Sequence, residues 1–437
     1  MKALDRHLSE IYSGGWPVMR WKIRVFKHLF MSLLIHAPWA IPAVLLIRCL
    51  SPWRIIRFGY INSNSFGSFI IDVNKMWVMS QRQSKRYLDL YWFGNGFNKI
   101  PCNEFWAEMA LRYFHVYSWV QPLYLWNQIL PGGAIHWVPY NVISESDESR
   151  MRGQTQAKLP FLPEDDARAK AWLREQGWQE GDPFVCLIMR DNLYMDSIPP
   201  NMNPSNKEGI PCHPNLGYGW TKCDYRNSDI ATYVPAAEWL ADQGVWVLRM
   251  GKIMAKPIPS SHPRIIDYAF HPDRSDFLDI WLFAHCDLCI STGTGPDGIC
   301  SSYGRPLLSL NYSALLLLHS WCNAMTVPKT LVWQTSGIPL NMREQLDNAE
   351  EFTTEYYERI GITFINLTPE EILASVQEGW QRLQGTWVDT EDDLKRQHRF
   401  WEIFTTHPDF HRYHDLIHPE ARAGAIWLRS RGDEYLD

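Results

Sequence analysis

The sequence predicts an α/β protein built on parallel sheets, and three observations support that prediction. Short apolar runs alternate with amphipathic helical patterns along most of the chain. Several of these runs end in turns rich in Gly, Ser, Thr or Asn that lead into a helix. With 437 residues, the chain is long enough for two or three domains, each with its own core. Such alternation is typical of parallel strands joined by crossover helices.

The first series of elements lies between residues 55 and 126. Strands are predicted at 55–60 and 87–93 from their apolar, β-branched and aromatic residues. A small-residue turn at 63–68 leads into a helix that ends near residue 79. Asn103 is placed to cap a further amphipathic helix that runs to about residue 113, and helical patterns continue to 126.

A second α/β series follows a polar, charged stretch at 144–158. Its long insertion, at 192–224, is rich in Pro, Asn and Gly, and its length suggests a substrate loop. The predicted strands are 184–189, 245–250, 264–267, 288–290 and 307–310. The predicted helices are 164–176, 229–243, 275–284, 296–302 and 369–383.

Residues 29–47 carry no formal charge over 19 positions, which is near the minimum length for a membrane span. Pro38 and Pro42 would bend a helix here, and basic residues flank both ends, so the positive-inside rule gives no orientation. We expect a bent, shallow or re-entrant segment that binds the membrane surface through residues 20–57, at the cytoplasmic face of the inner membrane. The alternative is a buried helical pair that covers the first domain.

Composition excludes some classes of function. The formal net charge of −6 gives no general reason to expect a nucleic-acid partner. The nine cysteines are an odd number and are scattered in apolar runs, which indicates a reducing compartment and not a disulfide framework. The 22 tryptophans favour a carbohydrate ligand only weakly, because most of them are expected in the core.

The most informative turn follows the apolar run 288–290. It contains Ser291, Thr292, Gly293, Thr294, Gly295 and Asp297, and Pro296 suits the first position of the next helix. Small residues let the backbone approach a ligand, and the free N–H groups of a helix start favour an anion. A phosphate site is one interpretation, and an ordinary strand-to-helix turn is the other.

Other strand ends decide between these interpretations, since ligands bind beyond the carboxyl ends of parallel strands. Arg190 directly follows one predicted strand, Arg249 lies at the end of another, and Arg226 lies just after the insertion. Guanidinium groups bind phosphate oxygens in pairs, so the three arginines favour a diphosphate. The sequence has no P-loop, which disfavours phosphoryl transfer from a triphosphate, and no nucleophilic GxSxG. No HExxH or DxD-type acidic pair follows a predicted strand, so we expect no obligatory metal, and we expect no other cofactor.

At these residues the chain resembles a family of bacterial glycosyltransferases associated with surface-polysaccharide gene neighbourhoods. The resemblance covers about residues 55–383 and is strongest over 185–311. The motifs that carry it are Met189-Arg190-Asp191, Asp224-Tyr225-Arg226-Asn227-Ser228-Asp229-Ile230, Arg249-Met250-Gly251-Lys252, Ile266-Asp267-Tyr268, Arg274-Ser275-Asp276-Phe277-Leu278-Asp279, the 291–297 turn and Arg305-Pro306. More distantly, the Arg190 strand end is similar to the arginine motif of fucosyltransferase-type enzymes. It lacks the His and the doubled Arg of that motif.

The resemblance implies a GT-B-like fold, with two Rossmann-like domains facing a central cleft. The expected parts are a membrane-associating segment (1–54), an acceptor-side domain (55–160), a nucleotide-sugar-binding domain (161–385) and a helical tail that packs back on the N-terminal domain (386–437). It also implies a nucleotide-sugar donor and a glycan or lipid-linked acceptor. The expected donor-binding residues are Arg190, Arg226, Arg249, Gly251, Lys252, Asp267, Tyr268, Ser291, Thr292, Gly293, Thr294, Gly295, Asp297 and Asn311.

Transfer of a sugar also needs a general base for the acceptor hydroxyl. Asp191 and Asp196, at the start of the long insertion, are the candidates, although each could equally cap a turn. Two other functions fit the residues less well. One is a non-catalytic carbohydrate- or nucleotide-binding partner of a polysaccharide assembly system, and the other is a GT-B-like nucleotide-sugar epimerase.

Overall fold

The computed structural model describes residues 2–82, 84–94, 101–138, 158–193 and 223–437. These residues form two compact units, the first from the ranges up to 138 and the second from those after 157. Each unit contains a parallel sheet with helices, which confirms the predicted α/β class.

The first unit begins with a long helix and continues as strand and helix in alternation. Strands β1, β2 and β3 form a parallel sheet in that order, and Trp137 adds a parallel bridge to Phe58 of β1. The elements are α1 (Lys2–Cys49), β1 (Ile55–Ile61), α2 (Phe66–Arg82), β2 (Tyr87–Phe93), α3 (Glu104–Tyr113), β3 (His115–Val116) and α4 (Val120–Ile129). Asn103 caps α3 by accepting the N–H of Trp106, as predicted.

The C-terminal half of α1 is part of the first unit's core. Ala40 and Val44 are fully buried and pack in one cluster with Phe58, Val120 and Leu123. The helix continues through Pro38 and Pro42, and its backbone departs from helical angles at Gly15 (φ 60°, ψ −152°). α1 and the first sheet therefore share one core across the expected boundary at residue 54.

A buried ion pair fixes the register of β1 and β2. Arg57 and Asp89 are directly opposite each other, and Nε and Nη2 of Arg57 each donate to a carboxylate oxygen at 2.7 Å. The Tyr91 hydroxyl also donates to Asp89, at 3.2 Å, and the Arg57 guanidinium lies over the Tyr87 ring. Two opposite charges in one layer leave only one register in which neither is buried unpaired.

The second unit is organised around a seven-stranded sheet whose neighbouring strands are all parallel, in the order β12-β9-β8-β7-β4-β5-β6. Its strands are β4 (Phe184–Ile188), β5 (Trp246–Arg249), β6 (Ile265–Ile266), β7 (Leu288–Ser291), β8 (Leu307–Tyr312), β9 (Ala324–Pro328) and β12 (Arg422–Ala423), and β10 (Thr330–Trp333) pairs separately with β11 (Ile362–Ile365). Its helices are α5 (Pro163–Glu175), α6 (Val234–Asp242), α7 (Asp276–His285), α8 (Asp297–Ser302), α9 (Met342–Asp347), α10 (Thr354–Arg359), α11 (Pro369–Leu383), α12 (Glu391–Thr406), α13 (Phe410–Tyr413) and α14 (Ala425–Arg431).

The strand order places a topological switch point between β4 and β7. From β4 the chain adds β5 and β6 on one side, then returns to add β7, β8 and β9 on the other. In α/β sheets, the loops at such a point leave the sheet edge in opposite directions, and ligands bind in the crevice between them. The sequence predicted both strands, but it did not predict β9, β10, β11 or β12.

The C-terminal tail belongs to the second unit. Phe400 and Phe404 of α12 and Trp427 of α14 are buried in the same core cluster as Val185 of β4. The buried Glu378 of α11 accepts the first N–H groups of α14. The apolar faces of the tail complete the core of this unit beside α11 and β9.

Candidate functional site

The switch point brings Arg190 and the 291–297 turn together. In the β4–β7 pair Ile188 is opposite Ser291, so the residues that follow the two strands are neighbours. The Arg190 N–H donates to the Thr292 hydroxyl at 2.9 Å, and Thr292 is buried. The Arg190 guanidinium is only half-buried, and its Nε has no hydrogen-bond partner among the described residues.

Arg226 reaches the same turn from a distant part of the sequence. It ends a short 3₁₀ helix, Asp224–Arg226, and its Nη2 donates to the Gly293 carbonyl. The N–H of Ser228 donates to the Arg190 carbonyl at 3.0 Å, which fixes this segment beside the end of β4. The structure thus brings together Arg190, Arg226 and the turn, three features that the sequence predicted separately.

Lys329 is a third cation at this edge, and sequence reasoning missed it. It directly follows β9, is 2% exposed, and its Nζ donates to the carbonyls of Tyr225 and Asn227 at 2.6 and 2.7 Å. A lone lysine after the apolar run 324–328 was the available signal, but that run was not recognised as a strand. Lys329 supports the backbone on both sides of Arg226.

We call Arg190, Arg226 and Lys329 the cation cluster. Their positive charges repel one another. Burial lowers the pKa of the Arg190 guanidinium, and Arg226 lowers it further. Burial also lowers the pKa of Lys329 to about 7, with a second contribution from Arg226. Within the described ranges, none of the three forms an ion pair with a carboxylate. An anion bound here would relieve this repulsion, so the cluster favours an anionic ligand.

The 291–297 turn uses some of its own N–H groups internally. The buried Asp297 carboxylate accepts the Ser291 hydroxyl at 2.7 Å and the Thr294 N–H at 2.8 Å. The Gly293 N–H donates to the Ser291 hydroxyl at 3.1 Å. Asp297 and Ser291 therefore hold the shape of the turn, and two of the N–H groups expected to bind phosphate already have partners.

Gly293 has a conformation and a packing position that exclude a side chain. Its φ is +77°, and a Cβ there would lie 2.7 Å from the Tyr312 ring. Gly337 offers a matched control, because its φ is +69° but a Cβ would meet nothing within 4 Å.

We expect Gly337→Ala to lower the free energy of unfolding by about 1 kcal/mol through backbone strain alone. Gly293→Ala should cost roughly 1–3 kcal/mol more, because the added methyl group overpacks the Tyr312 ring. Urea denaturation of both variants measures the difference. Equal losses would show that the Tyr312 contact does not constrain the turn.

Arg249 and Asp267 form a separate, buried arrangement. Arg249 is 1% exposed, and its guanidinium contacts Asp267 at 3.4 Å and the Lys256 carbonyl at 3.0 Å. Asp267 accepts the Ile258 N–H at 2.8 Å, and burial raises the pKa of its carboxyl group. Both residues have structural partners, so they hold the loop after β5 in this structure.

The remaining predicted donor residues also have local partners. Lys252 pairs with Asp276 at 3.2 Å, and the fully buried Tyr268 donates to the Ser275 carbonyl at 3.1 Å. The buried Asn311 donates to the Tyr233 hydroxyl and accepts the Leu367 N–H. The two glycines that complete the set are Gly251, whose φ is +154°, and Gly295, which is exposed in the turn.

Of the two candidate general bases, Asp191 lies in the described part of the chain. Its Oδ1 accepts the Leu193 N–H at 3.0 Å, and its Oδ2 accepts the Ala255 N–H at 2.9 Å. The Asp191 carboxylate therefore links the loop after β4 to the loop after β5. Asp196 lies outside the described residues. In the described part of the chain, no group of three His, Cys, Asp or Glu side chains is placed to hold a metal ion.

Two of the solved structures that resemble this chain are described as glycosyltransferases, and both have low similarity to it. The E. coli ADP-heptose LPS heptosyltransferase II is 11% identical, with a TM-score of 0.40, over 75% of this chain and 99% of that chain. A glycosyl transferase family 9 structure from Veillonella parvula is 10% identical, with a TM-score of 0.37, over 63% of this chain and 85% of that one. No family model and no curated protein matches the chain. The functional argument therefore rests on the site itself.

Proposed function

We propose that this protein is a glycosyltransferase that moves a sugar from a nucleotide-diphosphate sugar to a glycan or lipid-linked acceptor in surface-polysaccharide or glycoconjugate synthesis. The observation that supports it best is the cation cluster at the switch point of a parallel sheet. A donor diphosphate supplies the missing negative charge, and the adjacent crevice is where α/β sheets bind nucleotides. The family resemblance of the motifs supports the same class.

In the proposed reaction, the acceptor oxygen attacks the anomeric carbon while the bond from that carbon to the diphosphate oxygen breaks. The diphosphate leaves with the electron pair, and Arg190 and Arg226 stabilise its growing charge. The acceptor proton passes to a general base, for which Asp191 and Asp196 remain the candidates. The proposal includes no obligatory metal, because the cations would supply the charge that a metal otherwise provides.

The test is a thermal-shift screen of the full chain with UDP-, GDP-, ADP- and CMP-sugars, followed by product analysis with a glycan-acceptor mixture. A bound ligand raises the melting temperature according to its affinity. We expect a diphosphate sugar to give the largest shift and a CMP-sugar, with its single phosphate, a smaller one. No shift with any donor would overturn the proposal. Binding without turnover would favour a non-catalytic partner, and conversion without acceptor would favour an epimerase.

Donor binding should weaken as the pH rises above 7. Unliganded Lys329 loses its proton near that pH, whereas a bound diphosphate favours its charged form, so binding takes up a proton at higher pH. We expect the dissociation constant of a nucleotide sugar to rise about fivefold between pH 7 and pH 8. A nucleotide sugar is used because its diphosphate diester does not titrate in this range.

Isothermal titration of wild type and Lys329→Met across that pH range measures the effect. The methionine variant should bind more weakly at pH 7 but show a flat profile. A wild-type profile as flat as that of the variant would contradict a role for Lys329 in the site.

A further inference from the structure

One face of the C-terminal half of α1 is apolar, and the part of the chain that the structure describes leaves it exposed. The other side of the helix is covered. Its buried or half-buried residues lie at helical spacing, at positions 33, 36, 37, 40, 44, 47 and 48. The exposed apolar face, which we call the uncovered face, lies opposite these positions. It presents large side chains that are 40–63% exposed: Leu34, Ile35, Trp39, Leu45 and Leu46. A helix that is apolar all round normally has an apolar environment on every side.

The covered side of α1 is tied to the first unit at both ends. The Arg48 guanidinium donates to the carbonyls of Asn127 and Leu130 at 3.0 Å each and contacts the Pro131 carbonyl, which satisfies the C-terminus of α4. Toward the other end, the Trp126 indole donates to the Leu33 carbonyl at 3.3 Å. These contacts extend over the same residues as the uncovered face.

This attachment restricts how α1 can meet a bilayer. The segment Phe30–Cys49 is long and apolar enough to cross a membrane by length and composition, with a mean hydropathy of 1.9. To cross as a span, however, it would have to carry α4 and the sheet into the hydrocarbon, or break the Ala40 and Val44 packing and the Arg48 contacts. Either would bury polar groups or expose core surface.

The charges near the uncovered face are basic. Arg20, Arg24 and Lys27 are exposed on α1, and the sequence has no acidic residue between Glu10 and Asp72. A surface depression of about 510 Å³ is lined by Arg24, Lys27, Met31, Ser32, Ile35 and His36, so cations and apolar side chains share one concave surface. That combination complements an anionic headgroup and its acyl chain.

We propose that the uncovered face of α1 docks the first unit on an anionic lipid bilayer as a monotopic helix that lies in the headgroup region without spanning. The side chains of the uncovered face enter the acyl boundary, and the cations that precede them bind lipid phosphates. The covered face stays in the protein core. This proposal does not depend on the proposed enzymatic activity.

The test is flotation of the full chain with vesicles of phosphatidylcholine alone and of phosphatidylcholine mixed with phosphatidylglycerol. We expect flotation with the mixed vesicles and much less with the neutral ones. Leu34→Asp, on the uncovered face, should reduce binding on the order of tenfold. Leu111→Asp is the matched control, because Leu111 of α3 is 50% exposed against 53% for Leu34 and should bind like wild type.

The topology is tested by an N-terminal epitope tag and an external protease. If the helix is monotopic, the protease cleaves the tag from the same side of the membrane on which it digests the folded units. A tag that stays protected inside sealed vesicles would establish a span and overturn the proposal. Failure of the wild type to float would also overturn it. If Leu34→Asp instead converted a dimer into a monomer in sedimentation and wild type did not float, the face would be a protein interface.

Discussion

Replacing Arg226 with alanine is expected to weaken binding of a nucleotide-diphosphate sugar by about ten- to a hundredfold, since hydrogen bonds to charged groups contribute about 1.5–3 kcal/mol each. Arg226 joins the segment after the insertion to the Gly293 carbonyl, and it is the common neighbour of Arg190 and Lys329. Its removal takes one positive charge from the cation cluster and loosens the turn. Isothermal titration with the donor that gives the largest thermal shift measures the loss.

Two controls separate binding from folding. Arg399→Ala removes a half-buried arginine of α12 that pairs with Glu402 and donates to the Leu436 carbonyl, and it should leave donor affinity unchanged. The melting temperature of unliganded Arg226→Ala should stay close to that of the wild type, because relief of the repulsion within the cluster offsets the loss of the contact to the Gly293 carbonyl. Wild-type donor affinity in both Arg226→Ala and Arg190→Ala would remove the central claim of the proposed site.

Asp89→Ala is expected to lower the free energy of unfolding by about 3–5 kcal/mol, because it leaves the buried Arg57 charge without its partner. Both side chains are at most 10% exposed, and Asp89 accepts from Arg57 through both oxygens. Urea denaturation monitored by circular dichroism measures the change, and it should appear in the transition of the first unit.

The double variant Arg57→Met/Asp89→Leu tests the cause. It removes both charges and keeps apolar volume, so it should recover most of the stability lost in Asp89→Ala. Exposed ion pairs give the surface reference: Glu180→Gln removes the negative charge that faces Lys170 and Arg174 and should leave stability within error of wild type. If the double variant were as unstable as Asp89→Ala, the loss would come from packing and not from the unpaired charge.

Local sequence patterns were sufficient for the elements that build the switch point. The strands β4 and β7 are continuous apolar runs, and the residue types after them predicted a turn and a basic strand end. The meeting of Arg190 with Thr292 then follows from strand order, since parallel neighbours end at one edge. Contacts of this kind need only correct strands and a common topology.

Long-range partners could not be predicted in the same way. Lys329 lies more than a hundred residues from the carbonyls that it binds, and the short run before it could belong to a strand or a buried helix. The sequence predicts that Asp297 binds the donor. A polar residue in a Gly-rich turn has the same local sequence pattern whether it binds a phosphate or caps the turn, so the sequence could not distinguish the two. The partner of the C-terminal tail could not be predicted for a related reason, because an amphipathic helix indicates that it needs an apolar surface without indicating which one.

The attachment of α1 to α4 limits how this protein can be shortened for solubility. Hydropathy alone would place the cut just after residue 49, where the apolar run ends. That cut would discard Ala40, Val44 and Arg48, and so strip Val120 and Leu123 of their cover and leave the last carbonyls of α4 in need of donors. A soluble version that keeps its native first unit should start before Leu33 and replace Leu34, Ile35 and Leu46 with polar residues.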